Sequence, residues 1–239
     1  MYTVRVDVRQ QIRRVEIKAH QGEYGAWRKG FCKNYRQTAA RICLESSREQ
    51  KAYLDSVGST ISCRKGCAYC CAQYISISLA HALVIVDYLY ANPNLTGSFL
   101  NRYEKWRRAA AGTPELEALE KYTNLSSTVR RTPQELLDKY ARLNLPCPFL
   151  VSDACSIYPV RPICCASHVS VSPPEFCRAA NPSRALISEA VPSQERLREL
   201  AMLGEPILSL HQESLPSLVF ALLTEGLPEI LHRVRKMAD

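Results

Sequence analysis

Four thiols within nine residues, at Cys63, Cys67, Cys70 and Cys71, constrain this chain more than any other feature. Sulfurs that close must be oxidised, metal-bound or buried. The first residues, Tyr2, Val4, Val6 and Val8 alternating with Arg5, Asp7 and Arg9, lack the apolar core of a signal peptide. No run of about 18 apolar residues offers a membrane span. The expected location is therefore the cytoplasm, where thiols stay reduced. Eleven cysteines would also leave one unpaired in any full set of disulfides. Reduced, clustered thiols point to a metal.

Nine of the eleven fall into two groups, the four above and Cys147, Cys155, Cys164, Cys165 and Cys177. The Cys-x3-Cys-x2-Cys spacing brings three sulfurs to one side of a tight loop, and Gly66 lets the backbone turn there. Thiolates suit zinc, ferrous iron and iron–sulfur clusters, and four close a tetrahedral site. In extended backbone Cys70 and Cys71 point apart, so one ion is not expected to take both. The second group is then expected to complete the site from across the intervening helices, making metal-binding energy into folding energy. Cys32 and Cys43 stand apart in the first long helix and read as buried, small apolar residues.

The ordered run Cys63-x3-Cys67-x2-Cys70-Cys71, Cys147-Pro-Phe-Leu150, then Cys155-Ser-Ile-Tyr158-x2-Arg161-Pro162-x2-Cys165 resembles the YkgJ-like cysteine-cluster family over about residues 60–180. That family is described as a zinc- or iron-chelating domain. The resemblance implies Cys63, Cys67, Cys70, Cys71, Cys147, Cys155, Cys165 and Cys177 as ligands of zinc or iron, an iron–sulfur cluster included. Against the family's usual pattern, Ala166 stands for an Arg, His81 for a Glu, and Cys164 is an extra thiol. The family is also similar to flagellin lysine N-methylases, which use S-adenosylmethionine. The alternative this implies is a metal-dependent or iron–sulfur enzyme acting on a protein substrate.

Cys63, Cys67 and Cys70, with Tyr69 before the last, also satisfy the radical-SAM spacing. Such enzymes need strands alternating with helices, which the pattern here does not provide. His168 reads as a structural histidine, since thiols already suffice for a site. Tyr158 and Arg161 are expected to pack against the second group. No GxGxxG, Walker loop or HExxH is present.

The expected fold is mostly α: a single helical domain clasped by the cysteine cluster. Residues 1–58 read as a basic segment and helix, 59–180 as the cysteine-cluster domain, and 181–239 as C-terminal helices packed on it. Residues 2–17 alternate weakly, as a strand or hairpin would. Trp27, Phe31 and Tyr35 recur every four residues in a helix expected over 23–54. Leu79–Leu89 reads as a buried helix stopped by Asn92-Pro93. Three helices follow. Phe99, Leu100, Tyr103 and Trp106 line the first, Thr113-Pro-Glu starts the second, and the capping box Thr132-Pro-Gln-Glu135 starts the third. Ser152-Asp153 between short apolar runs predicts a small hairpin near 147–160, and Ser172-Pro-Pro-Glu175 a capped short helix holding Cys177. Helices over 193–203, 215–225 and 228–237 are punctuated by Gly204 and Gly226. Residues 1–65 hold 14 Lys and Arg against 6 Asp and Glu, while residues 66–239 hold 17 of each. All the excess charge is thus N-terminal, where it would meet an acidic protein or nucleic-acid partner.

Overall fold

A computed structural model describes residues 24–64, 66–125 and 132–238. The alternating residues 2–17, with Arg5, Arg9, Arg13 and Arg14 among them, lie outside this range. Ten α-helices among the described residues, with three small antiparallel strand pairs, make the fold mostly α.

The first helix, α1 (Tyr24–Ser56), runs close to the predicted bounds. Its aromatic repeat explains why. Trp27 stacks on Phe31 at 5.5 Å between ring centroids, and Phe31 meets Tyr35 at 5.7 Å, so the i, i+4 pairs build one apolar stripe. That stripe packs on α2 (Leu79–Tyr90), whose buried residues cover every face from Leu79 to Val86. A helix apolar all round belongs at the centre of a bundle. Its first turn is capped by Ser78, whose hydroxyl accepts the His81 amide at 3.3 Å. Asn92 ends it by donating from its side chain to the Tyr88 carbonyl, and Pro93 then opens α3 (Pro93–Ala110).

The helices α4 (Pro114–Leu125) and α5 (Gln134–Arg142) follow. The predicted capping box at Thr132 does not form. Pro133 takes the cap position with extended backbone, and its carbonyl accepts the amides of Leu136 and Leu137, so the helix starts one residue later. The predicted hairpin does form. Strands β2 (Leu150–Val151) and β3 (Ala154–Cys155) pair across Ser152 and Asp153, both at positive φ as a two-residue turn requires. Phe149 at its base stacks on Phe99 of α3 at 4.3 Å and 7°, each ring 1% exposed. This pair pins the segment that carries Cys147 to the helical core.

After α6 (Ile163–Ser167), strand β4 (His168–Ser170) pairs with β5 (Ile187–Glu189). Helices α7 (Gln194–Ala201), α8 (Pro206–Leu210), α9 (Leu215–Thr224) and α10 (Leu227–Ala238) complete the chain. Gly204 is needed for space: a Cβ there would lie 2.7 Å from the buried Phe31 ring. The sequence gives no warning of β6 (Gln212–Ser214), which pairs with β1 (Ser76–Ser78) and brings α9 against α2. One core cluster runs from Phe31 to Val234.

Candidate metal centre

The first cysteine group occupies the connection between α1 and β1. The Cys67 amide donates to the Arg64 carbonyl at 3.0 Å, closing a tight turn, and Gly66 sits at φ +85°, where a Cβ is penalised. Cys70 and Cys71 lie on a 3-10 turn, Tyr69–Ala72. This corrects the expectation that they point apart. That expectation assumed extended backbone, whereas a 3-10 turn separates neighbours by about 120°. Their thiols are close enough to hydrogen-bond.

The second group is spread over four short elements. Cys147 precedes the hairpin, Cys155 lies in β3, Cys164 and Cys165 share α6, and Cys177 ends the 3-10 turn Pro174–Cys177. The second predicted capping box fails here as well. Ser172 accepts the Leu186 amide at 2.9 Å and pairs with Ser170, so its hydroxyl secures the β4–β5 side instead of the turn.

Backbone bonds bring the groups together. The Cys147 amide donates to the Cys71 carbonyl at 2.8 Å. The Ser62 amide donates to the Ser170 carbonyl at 2.8 Å, and the Ser170 amide donates in turn to Cys63 Sγ at 3.2 Å. The Tyr69–Ala72 and Pro174–Cys177 turns pack on each other, and the Arg178 guanidinium lies 4.5 Å from the Tyr69 ring centre.

Electrostatics shows the same convergence, with Cys70 at its centre. Its thiol is raised first by the hydrogen bond with Cys71, then by burial. Burial pushes Cys147 up to about 12, with further contributions from the charges of Cys155 and Cys70. Burial also raises Cys155, and Cys70 adds to it. Donating a hydrogen bond to Cys164 raises Cys165 most, followed by burial and by the charges of Cys164, Cys147 and Cys70. Cys177 is raised by burial, then by Cys70, Cys63 and Cys67. All eight cysteines singled out by the sequence are thus linked, directly or through one neighbour, to Cys70.

Cys70, Cys147, Cys155, Cys165 and Cys177 resist ionising one by one, because burial and each other's negative charge oppose it. A cation among them turns the same proximity into attraction. Half-buried, mutually interacting sulfurs therefore fit a thiophilic metal. Among the described residues, no three Cys, His, Asp or Glu side chains are already closed around a single ion position.

The remaining predicted residues divide. Cys32 is buried, donates to the Leu83 carbonyl at 3.6 Å, and is pushed up to about 12 by burial. Cys43 is only half-buried, because it faces a cleft. Cys164 is exposed and hydrogen-bonds Cys165, which lowers its own thiol. His168 Nδ1 lies 3.5 Å from Glu189 Oε1 across β4–β5. Arg161 stacks on Tyr158 at 4.1 Å, and its charge also favours the thiolates of Cys70 and Cys155. That electrostatic reach was not visible in the spacing, although Arg161-Pro162 between Cys155 and Cys165 marked the place.

The fold and these sulfurs define a helical protein of the cysteine-rich, metal-binding class. A family profile described as "CxxCxxCC: Putative zinc- or iron-chelating domain" matches residues 62–183, just over half the chain. The chain belongs to this CxxCxxCC family. No curated protein and no solved structure matches it significantly. No described helix is long and apolar enough to cross a membrane.

Proposed function

We propose that the chain holds zinc or iron through one bipartite centre formed by Cys63, Cys67, Cys70, Cys71, Cys147, Cys155, Cys165 and Cys177. The observation that carries this reading is the 2.8 Å bond between the Cys147 amide and the Cys71 carbonyl, with Cys70 electrostatically coupled to the second group. The family match supports zinc or iron as the metal.

Eight thiolates exceed the four that close a tetrahedral zinc site. The donor set therefore suits two ions or a cluster of several irons. When bound, such a metal supplies a cross-link between distant segments and, if it is an iron–sulfur cluster, a one-electron redox centre. The protein's own residues orient and enclose the sulfurs. The Ser170 amide fixes Cys63, the Phe99–Phe149 stack holds the Cys147 segment, and Arg161 offsets part of the charge near Cys70 and Cys155.

The test is metal analysis with a visible spectrum on protein purified anaerobically from metal-replete cells. A brown chromophore with sulfide identifies iron–sulfur; colourless, zinc-containing protein identifies zinc. Less than one metal per chain under these conditions would overturn the reading.

A further inference from the structure

Beside the second cysteine group, a cleft of about 190 Å³ opens between α1, α2, the Tyr158–Arg161 segment and α6. Two arginines, Arg36 and Arg161, line it, and no Asp or Glu does. Neither meets a carboxylate among the described residues. The nearby acids are engaged elsewhere: Asp87 faces Arg28 at 3.4 Å, and Glu189 faces His168 at 3.5 Å.

The rest of the lining is neutral. His81 is buried with Nε2 3.1 Å from the Val160 carbonyl, and burial lowers its affinity for a second proton. Tyr35, pushed up to about 12 chiefly by burial, keeps its hydroxyl proton. Arg161 is held over the Tyr158 ring at 4.1 Å, which orders its planar donor fork. Two positive groups around one concavity, with no carboxylate in its lining, favour an anion there.

We propose that this cleft binds a small oxyanion, clamped by the guanidiniums of Arg36 and Arg161. The volume limits the ligand. At ~30 Å³ per water, the cleft holds about six waters, and it falls below the ~300–1,000 Å³ of ordinary ligand pockets. It suits inorganic phosphate or a short carboxylic acid. Guanidinium forks match both anion types through paired N–H donors.

The experiment uses the full-length chain as purified with its metal, at low ionic strength, titrated calorimetrically with inorganic phosphate in one arm and succinate in the other. One saturable site is expected in at least one arm, and the tighter arm tells phosphate from carboxylate chemistry. Removing one charge-assisted donor pair, as Arg36→Gln or Arg161→Gln, should weaken binding about 10-fold or more. Ala40 lines the cleft at an exposed position of α1, so Ala40→Glu should abolish binding by repulsion without disturbing the fold, while Ala40→Gln should retain it. Metal content should be unchanged in Arg36→Gln and Ala40→Glu, which separates this site from the metal centre. No saturable binding of either anion at about 10 mM, or equal affinity in wild type, Arg36→Gln and Ala40→Glu, would overturn the proposal.

Discussion

The amide of Cys147 donates to the carbonyl of Cys71 at 2.8 Å, joining two residues separated by the four helices α2–α5. A metal spanning the same junction would close a loop of some 70–80 residues, and its binding energy would become folding energy. Stripping the metal with a strong chelator should therefore lower the melting temperature by roughly 6–20 °C, the shift that about 3–5 kcal/mol produces in a chain this long. Loss of helical circular dichroism should follow the same transition. A verified metal-free protein that melts unchanged would show the junction to be held by packing alone.

The Phe99–Phe149 stack tests that packing directly. Both rings are 1% exposed, so Phe149→Ala leaves a cavity and should cost about 3–5 kcal/mol in urea unfolding. Because Phe149 lies two residues from Cys147, metal affinity should fall as well. Tyr158→Ala, at a side chain 59% exposed, should cost well under half as much.

Buried thiol and phenol groups set an alkaline limit. The folded state holds Cys32 at about 12 against an ordinary 9, and Tyr35 at about 12 against 10, burial being the main cause of each. A raised folded pKa stabilises fully below the unfolded value, and that contribution is lost as pH rises through the folded one. Stability should thus fall from about pH 9 to pH 12. By pH 10.5, Cys32 alone should account for roughly 2 kcal/mol of the fall. Urea titrations at pH 8 and 10.5 should show a smaller drop in Cys32→Ala than in wild type. Equal drops would mean that the Cys32 thiol is not shielded.

The same residues show how far the sequence could be read. Trp27, Phe31 and Tyr35 revealed α1 because their spacing serves local helix contacts. Ser152-Asp153 revealed the hairpin because its turn chemistry is local too. The β1–β6 pairing escaped because three residues, two of them Ser, carry no periodicity, and their partners lie over 130 residues away. Both capping boxes failed for one reason: proline after the Ser or Thr let the backbone carbonyl of Pro133 or Pro173 lead the turn instead. The cleft between Arg36 and Arg161 was hidden because four separate segments supply its walls.

The register of the second group decides the ligand set. Cys164 and Cys165 are adjacent on α6 and hydrogen-bonded, but they differ in setting. Cys164 is exposed, is lowered mainly by the hydrogen bond it accepts from Cys165, and feels the charge of Glu189. Cys165 is raised by Cys147 and Cys70, members of both groups. Cys165→Ser should therefore empty or deplete the site, as should Ser at Cys70, Cys71 or Cys147. Cys164→Ser and Cys32→Ser should leave the metal-to-protein ratio unchanged. Cys70 and Cys71 share one turn, so each substitution also asks whether the vicinal pair acts together. If Cys164→Ser removes metal and Cys165→Ser does not, the register is off by one. If either group keeps its full metal when the other is replaced by serines, the chain carries two independent sites in place of one bipartite centre.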